Sequence, residues 1–208
     1  MSNDLKFKIS HKVTDDNSSN FVIKPLDRGY GITIGNSLRR ALLTAVPGAA
    51  ITNVKIEGAH HEFSTLDGVT EDIADVIMNL KGVRFHLFES SVEPIFLKVK
   101  GPKTFTAADI QAVSDNFTIL NPDHYITDIS KGTTLELEIR LGIGKGYKSG
   151  EENKLNNSPV GMIPIDSIFN PVTKVSFNVS PLPGAKEDTE MLSLNVTTDG
   201  SISPIDAV

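Results

Sequence analysis

The 208 residues suffice for one large domain or two small ones, and a 39% hydrophobic content is enough for a core. A net charge of −6 with scattered Lys and Arg disfavours direct nucleic-acid binding, and the lack of cysteine excludes disulfides, thiolate zinc sites and a cysteine nucleophile. No stretch has the apolar length of a signal peptide or membrane helix, which fits a cytoplasmic protein in a reducing compartment.

Along the chain, Phe21-Val22-Ile23 reads as a strand. Gly29-Tyr30-Gly31-Ile32-Thr33-Ile34-Gly35 resembles a dinucleotide loop only superficially. Its third glycine falls one position late for G-x-G-x-x-G, and Pro25 to Arg28 stand where a buried strand should. The glycines are expected to make a tight turn into a helix running from about Thr33 to Val46. Ile51 to Ile56 alternates like a strand. His60-His61-Glu62 lacks H-e-x-x-H spacing, so a structural role is expected and no metal site is assigned.

A second helix starts near Thr70. Ile73, Val76, Ile77 and Leu80 form one apolar stripe, Glu71 and Asp72 suit its first turn, and Lys81 and Gly82 suit its end. Ile95 to Val99 is a strand. So is Thr134 to Leu141, where Leu135, Leu137, Ile139 and Leu141 alternate with Glu136, Glu138 and Arg140. Gly142 to Pro159 reads as a long, mobile, polar loop. Lys174 to Val179 and Met191 to Thr197 are strands joined by a loop from Pro181 to Asp188, and Asp166, Asp188 and Asp199 read as turn acids. Many short strands and two helices predict an α+β fold.

On a wheel advancing about 100° per residue, Ile34, Leu38, Ala41, Leu42 and Ala45 form one stripe, expected to face the core. Leu43 falls roughly 150° away, flanked by Asn36, Arg39 and Arg40. A leucine ringed by arginines has the composition of a protein-docking surface, because arginine pairs with carboxylates while its stem packs on apolar groups. Taken alone, a single exposed leucine is also ordinary.

Lys24-Pro25-Leu26-Asp27-Arg28-Gly29-Tyr30-Gly31 and Thr33-Ile34-Gly35-Asn36-Ser37-Leu38-Arg39-Arg40-Ala41-Leu42-Leu43 closely resemble the signature of the bacterial RNA polymerase alpha subunit, amino-terminal domain. His61 to Thr65, Gly68 to Ile73, Asn79 to Gly82, Gly144 to Tyr147, Phe169 to Val172 and Thr198 to Ile202 follow in that family's order. The resemblance implies a dimerisation subdomain from both chain ends, residues 1–51 and 172–208, with a mostly β subdomain, 52–171, inserted between them. It implies a non-catalytic platform without cofactors. A second alpha chain and the beta and beta-prime subunits are its partners, and it reaches the nucleoid only through the polymerase.

By that resemblance, Arg40 and Leu43, with Asn36 and Arg39 beside them, dock beta. Lys81, Ile165 and Val172 match positions that hold beta-prime, although Lys81 alone would read as a helix-end charge. The stripe of Ile34, Leu38, Ala41, Leu42 and Ala45 is core and dimer contact. From Ser203-Pro204 the family continues into a long dimerisation helix, a linker and a carboxy-terminal DNA-binding domain, which these residues do not include. Two other readings stay open: a small-ligand enzyme using Gly29 to Gly35, and a free-standing homologue that sequesters polymerase subunits.

Overall fold

The computed structural model describes residues 7–59, 61–88, 93–184 and 189–208. His60 and Asp188, both weighed above, lie outside the described residues. In chain order the elements are β1 (Lys8–Asp15), β2 (Ser18–Asp27), α1 (Tyr30–Thr44), β3 (Pro47–Ile56), α2 (Ile73–Lys81), β4 (Phe85–Leu87), β5 (Ile95–Lys100), β6 (Lys103–Thr106) and α3 (Ala107–Gln111). Then come β7 (Phe117–Ile119), β8 (Tyr125–Ile129), β9 (Thr134–Lys145), β10 (Tyr147–Lys148), β11 (Met162–Pro164), β12 (Ser167–Ile168), β13 (Val172–Pro181), β14 (Thr189–Thr198) and α4 (Pro204–Ala207). The fold is α+β, built on antiparallel sheets with few helices.

The chain divides into two compact units, residues 1–46 with 170–208 and residues 47–169. The insertion therefore begins and ends earlier than the expected 52 and 171. The reason is β3: from Pro47 it is already paired with β9, so its first residues belong to the inserted sheet.

In the discontinuous unit, four antiparallel strands run in the order β1-β2-β14-β13. Phe21, Ile23, Leu192, Leu194, Val196 and Val175 are buried from this sheet, and α1 packs on β13, β14 and β2. Every residue of β1 is exposed. Ile9 pairs with Ile23 and His11 with Phe21, so Ile9, His11 and Val13 continue the core side of the sheet as an uncovered row. At the other end of the unit, Ser203 caps α4, its hydroxyl accepting from the Asp206 N–H at 3.1 Å, with Pro204 in the first turn.

The inserted unit has a sheet of order β11-β3-β9-β5 and three strand pairs, β4-β7, β6-β8 and β10-β12. One core joins Val54, Ile56, Ile73, Leu80, Phe85, Phe105, Phe117, Ile126 and Ile139, with Phe85 and Phe117 meeting edge to face at 5.5 Å. The predicted alternation of β9 holds, with Leu135, Leu137 and Ile139 buried, and the strand continues four residues past Leu141. Gly142 and Gly144 are thus strand residues rather than loop. A Cβ on Gly144 would stand 2.7 Å from Phe169 Cδ2, so close packing requires the glycine. The polar stretch that follows is anchored rather than loose. Asn153 is buried, donates to the Ile165 carbonyl at 2.7 Å and to Ser167 Oγ at 2.9 Å, and accepts from Asn53 at its own carbonyl.

At the start of α2 the acids divide their roles. Asp72 is the N-cap and accepts from the Asp75 N–H at 2.8 Å. Glu71 lies outside the helix, where its carboxylate accepts from the Tyr125 and Thr127 hydroxyls and the Asp128 N–H. Partial desolvation opposes ionisation, but those hydrogen bonds outweigh it and hold Glu71 below its ordinary value. A depressed folded pKa contributes stability that is complete above the unfolded value of 4.5 and is lost as pH falls through the folded one. Glu71→Gln is therefore expected to cost about 1 kcal/mol near neutrality. It should also flatten the fall in thermal midpoint below that value, measured by circular dichroism across acidic pH.

Candidate protein-docking surfaces

Helix α1 begins at Tyr30, three residues before the predicted start, so of the glycine-rich segment only Gly29 is a turn residue, with φ of 87°. Gly31 and Gly35 lie within the helix on its buried side. A Cβ there would stand 2.6 Å from Val179 Cγ1 or 2.5 Å from Phe177 Cδ2, so both are needed for the helix to sit directly on β13. The helix has no capping side chain of its own. Instead the Glu190 carboxylate, from β14, accepts the N–H of Gly29 at 3.0 Å and of Gly31 at 3.2 Å. That internal carboxylate occupies the place an anionic phosphate would take at a helix start, which argues against the nucleotide reading.

The buried side of α1 is Gly31, Gly35 and Leu42, with Ile34 and Leu38 half-buried beside them. Ala41 and Ala45, expected in the core stripe, are exposed. They fall on one flank of the helix, roughly 60° to 100° away from the line of Gly31, Gly35 and Leu42 that meets the sheet. Leu43, expected off the core side, is half-buried and packs against the cluster of Phe21, Leu42 and Val46. It is a rim residue, with part of its surface committed to the core and part open.

Asn36, Arg39 and Arg40 are exposed as expected. Neither arginine has an ion-pair partner among the described residues, which leaves two guanidinium groups available for external carboxylates. The sequence reading missed Ile32. It is 57% exposed and stands with Asn36, Arg39 and Leu43 at helical positions i, i+4, i+7 and i+11, so one side of α1 carries two apolar anchors and two polar groups. The signal is present in the sequence but hidden, because the glycines on either side make Ile32 read as part of a turn.

Lys81 ends α2, 3.5 Å from Asp166. The Gly150 N–H, at 2.8 Å, and then Lys81 hold the Asp166 carboxyl below its usual range. Asp166 is thus a paired group rather than an isolated turn acid. Next to it β10 and β12 set Tyr147 opposite Ile168, both more than half exposed. Ile165 and Val172 are different. Ile165 is 4% exposed in the core of the inserted unit, and Val172 is 3% exposed in the core of the discontinuous unit, so each supports a surface from beneath. Asp199 holds a turn through Ser201, and His61 is exposed beside Ser64. Among the described residues no three His, Asp or Glu side chains are grouped to hold a metal, and no helix is long and apolar enough to cross a membrane.

Fold and surfaces define a class: a discontinuous α+β protein interrupted by a mostly β insertion, whose prominent exposed features mix arginine, lysine and apolar side chains. Within that class, the family of RNA polymerase Rpb3/RpoA insert domains matches residues 54–170. The DNA-directed RNA polymerase subunit alpha of Chloroherpeton thalassium is 47% identical over 189 residues, covering 90% of this chain and 58% of that protein. That of Salinibacter ruber is 47% identical, covering 93% and 59%, and that of Alkaliphilus metalliredigens 46%, covering 95% and 63%. The chain belongs to the bacterial RNA polymerase alpha subunit family, in its amino-terminal domain. It spans 58% to 63% of the length of these three relatives.

Proposed function

We propose that the chain is a non-catalytic assembly platform of a DNA-directed RNA polymerase, acting through protein surfaces with no direct nucleic-acid contact of its own. The observation that carries this reading is the Ile32, Asn36, Arg39 and Leu43 side of α1, with Arg40 adjoining it. There a closely seated helix presents apolar anchors beside two guanidinium groups without an ion-pair partner among the described residues. The beta subunit docks on that side, with Arg40 and Leu43 as anchors. Beta-prime takes Lys81 and the neighbouring Tyr147 and Ile168 of the inserted unit, with Ile165 keeping the backbone of that unit in place, while Val172 does the same in the core of the discontinuous unit. A second alpha chain covers the uncovered apolar row of β1 and the Ile34, Ala41 and Ala45 flank of α1. The protein works in the cytoplasm and meets the nucleoid through the polymerase.

Replacing Arg40 by Ala is expected to lower recovery of co-expressed beta by about tenfold, since buried interface arginines are typical hot spots, with stability changed by less than about 0.5 kcal/mol. Ile32→Ala should weaken recovery in the same direction. Leu43→Ala should do both, losing beta and about 1 kcal/mol of stability, because the leucine is half committed to the core. Retained beta binding in Arg40→Ala and Ile32→Ala would remove the proposal. Reconstitution with beta and beta-prime separates a platform, which supports RNA synthesis, from a sequestering homologue, which does not.

A further inference from the structure

The main sheet of the inserted unit ends on β5, which is hydrogen-bonded to β9 on one side and, among the described residues, to no strand on the other. Ile95, Leu97 and Val99 point into the core, while Phe96, Lys98 and Lys100 are exposed on the outer face. A groove of about 370 Å³ is lined by Leu97, Lys98, Val99 and Lys100 of β5 together with Lys103, Asp109 and Val113. Val113, in the lining of this groove, is 50% exposed.

An open edge of this length offers a row of unpaired backbone donors and acceptors to any extended segment that can enter. The charge of the groove selects among such segments. Three lysines line it against one carboxylate, in a chain of net charge −6. Lys103 is paired with Asp109 and Lys98 with Glu136, but Lys100 has no ion-pair partner among the described residues. A second copy of β5 would bring lysine against lysine across the new strand pair, which is unfavourable.

We propose that the open edge of β5 receives one extended segment of a partner protein, alternating apolar and acidic residues, which adds to the sheet as a fifth strand. Side chains on successive residues of an added strand point to opposite faces. Its acids then stand beside Lys98 and Lys100, and its apolar residues extend the Leu97 and Val99 row toward Val113. The site shares no residue with the surfaces assigned to beta and beta-prime, so it stands or falls separately from the assembly reading.

The test uses the full chain and a blocked ten-residue synthetic peptide alternating valine and glutamate, followed by fluorescence anisotropy and by hydrogen exchange of the β5 amides. Saturable binding is expected, with slowed exchange confined to Ile95–Lys100. Lys100→Glu should weaken it about tenfold while leaving the fold intact, since Lys100 is exposed and unpaired. A peptide methylated at alternate backbone nitrogens, and one alternating valine and lysine, should not bind. Binding that survives both the methylation and Lys100→Glu, equal binding of the lysine peptide, absence of saturable binding, or peptide-free self-association through β5 each overturns the proposal.

Discussion

Gly35→Ala is expected to destabilise the discontinuous unit by about 2 kcal/mol, although alanine is the better helix former by about 1 kcal/mol. The new methyl carbon would lie 2.5 Å from Phe177 Cδ2 and 2.9 Å from its Cγ. Contact with Cγ means the ring cannot escape by turning about its own axis; either Phe177 leaves its rotamer or α1 lifts from β13. Lifting also withdraws Gly29 and Gly31 from the Glu190 carboxylate, so the helix start loses its cap in the same movement. Beta recovery should then fall together with stability. The double variant Gly35→Ala, Phe177→Ala, which removes Cγ along with the ring, should be clearly more stable than the sum of the two single changes predicts. Gly29→Ala meets nothing within 4 Å and carries only the strain of its positive φ, about 1 kcal/mol. If chemical denaturation finds Gly35→Ala and Gly29→Ala equal and the double variant no better than that sum, seating by glycine is not what fixes α1.

That pair of glycines also marks the limit of what the sequence disclosed. Alternation and helical periodicity are local, so β9 and the stripe of Ile73, Val76, Ile77 and Leu80 were legible residue by residue, as was the Ser203 cap with Pro204 behind it. Gly31 and Gly35 are governed by β13, more than 130 residues later, and nothing near them in sequence distinguishes a close-packed helix glycine from a turn glycine. The same non-local cause moved the start of α1 from Thr33 to Tyr30, hid Ile32 and exchanged the environments of Ala41 and Leu43. Glu190 as the cap of α1, Asn153 as an anchor and Glu71 as a link to β8 are likewise side chains serving elements distant in sequence. The exposure of Arg39 and Arg40 needed no such information. A charged side chain on the outer side of an amphipathic helix is set by the helix alone.

Leu80→Ala and Lys81→Ala alter adjacent residues of one helix, and their expected effects are opposite in kind. Leu80 is fully buried at the centre of the inserted core, among Ile73, Ile77, Val83 and Ile126, and its truncation should cost about 3 kcal/mol through lost burial and the cavity left behind. Lys81 is 31% exposed, and its ion pair with a half-exposed Asp166 is worth at most about 1 kcal/mol to the isolated chain. Across an interface the balance changes. A lysine desolvated by a partner, with Asp166 already holding it in position and Tyr147 and Ile168 supplying apolar area beside it, loses its alternative of solvation by water. Lys81→Ala is therefore expected to leave the thermal midpoint nearly unchanged and to reduce beta-prime retention in the reconstituted assembly about tenfold. Leu80→Ala should lower the midpoint sharply, yet at a temperature where it remains folded it should retain beta-prime to the extent that α2 keeps its place. Because the two side chains share a backbone, displacement of the helix would move both readouts in both variants. Midpoint loss without loss of beta-prime at one residue, and the reverse at its neighbour, is a pattern that a general loosening of α2 does not produce.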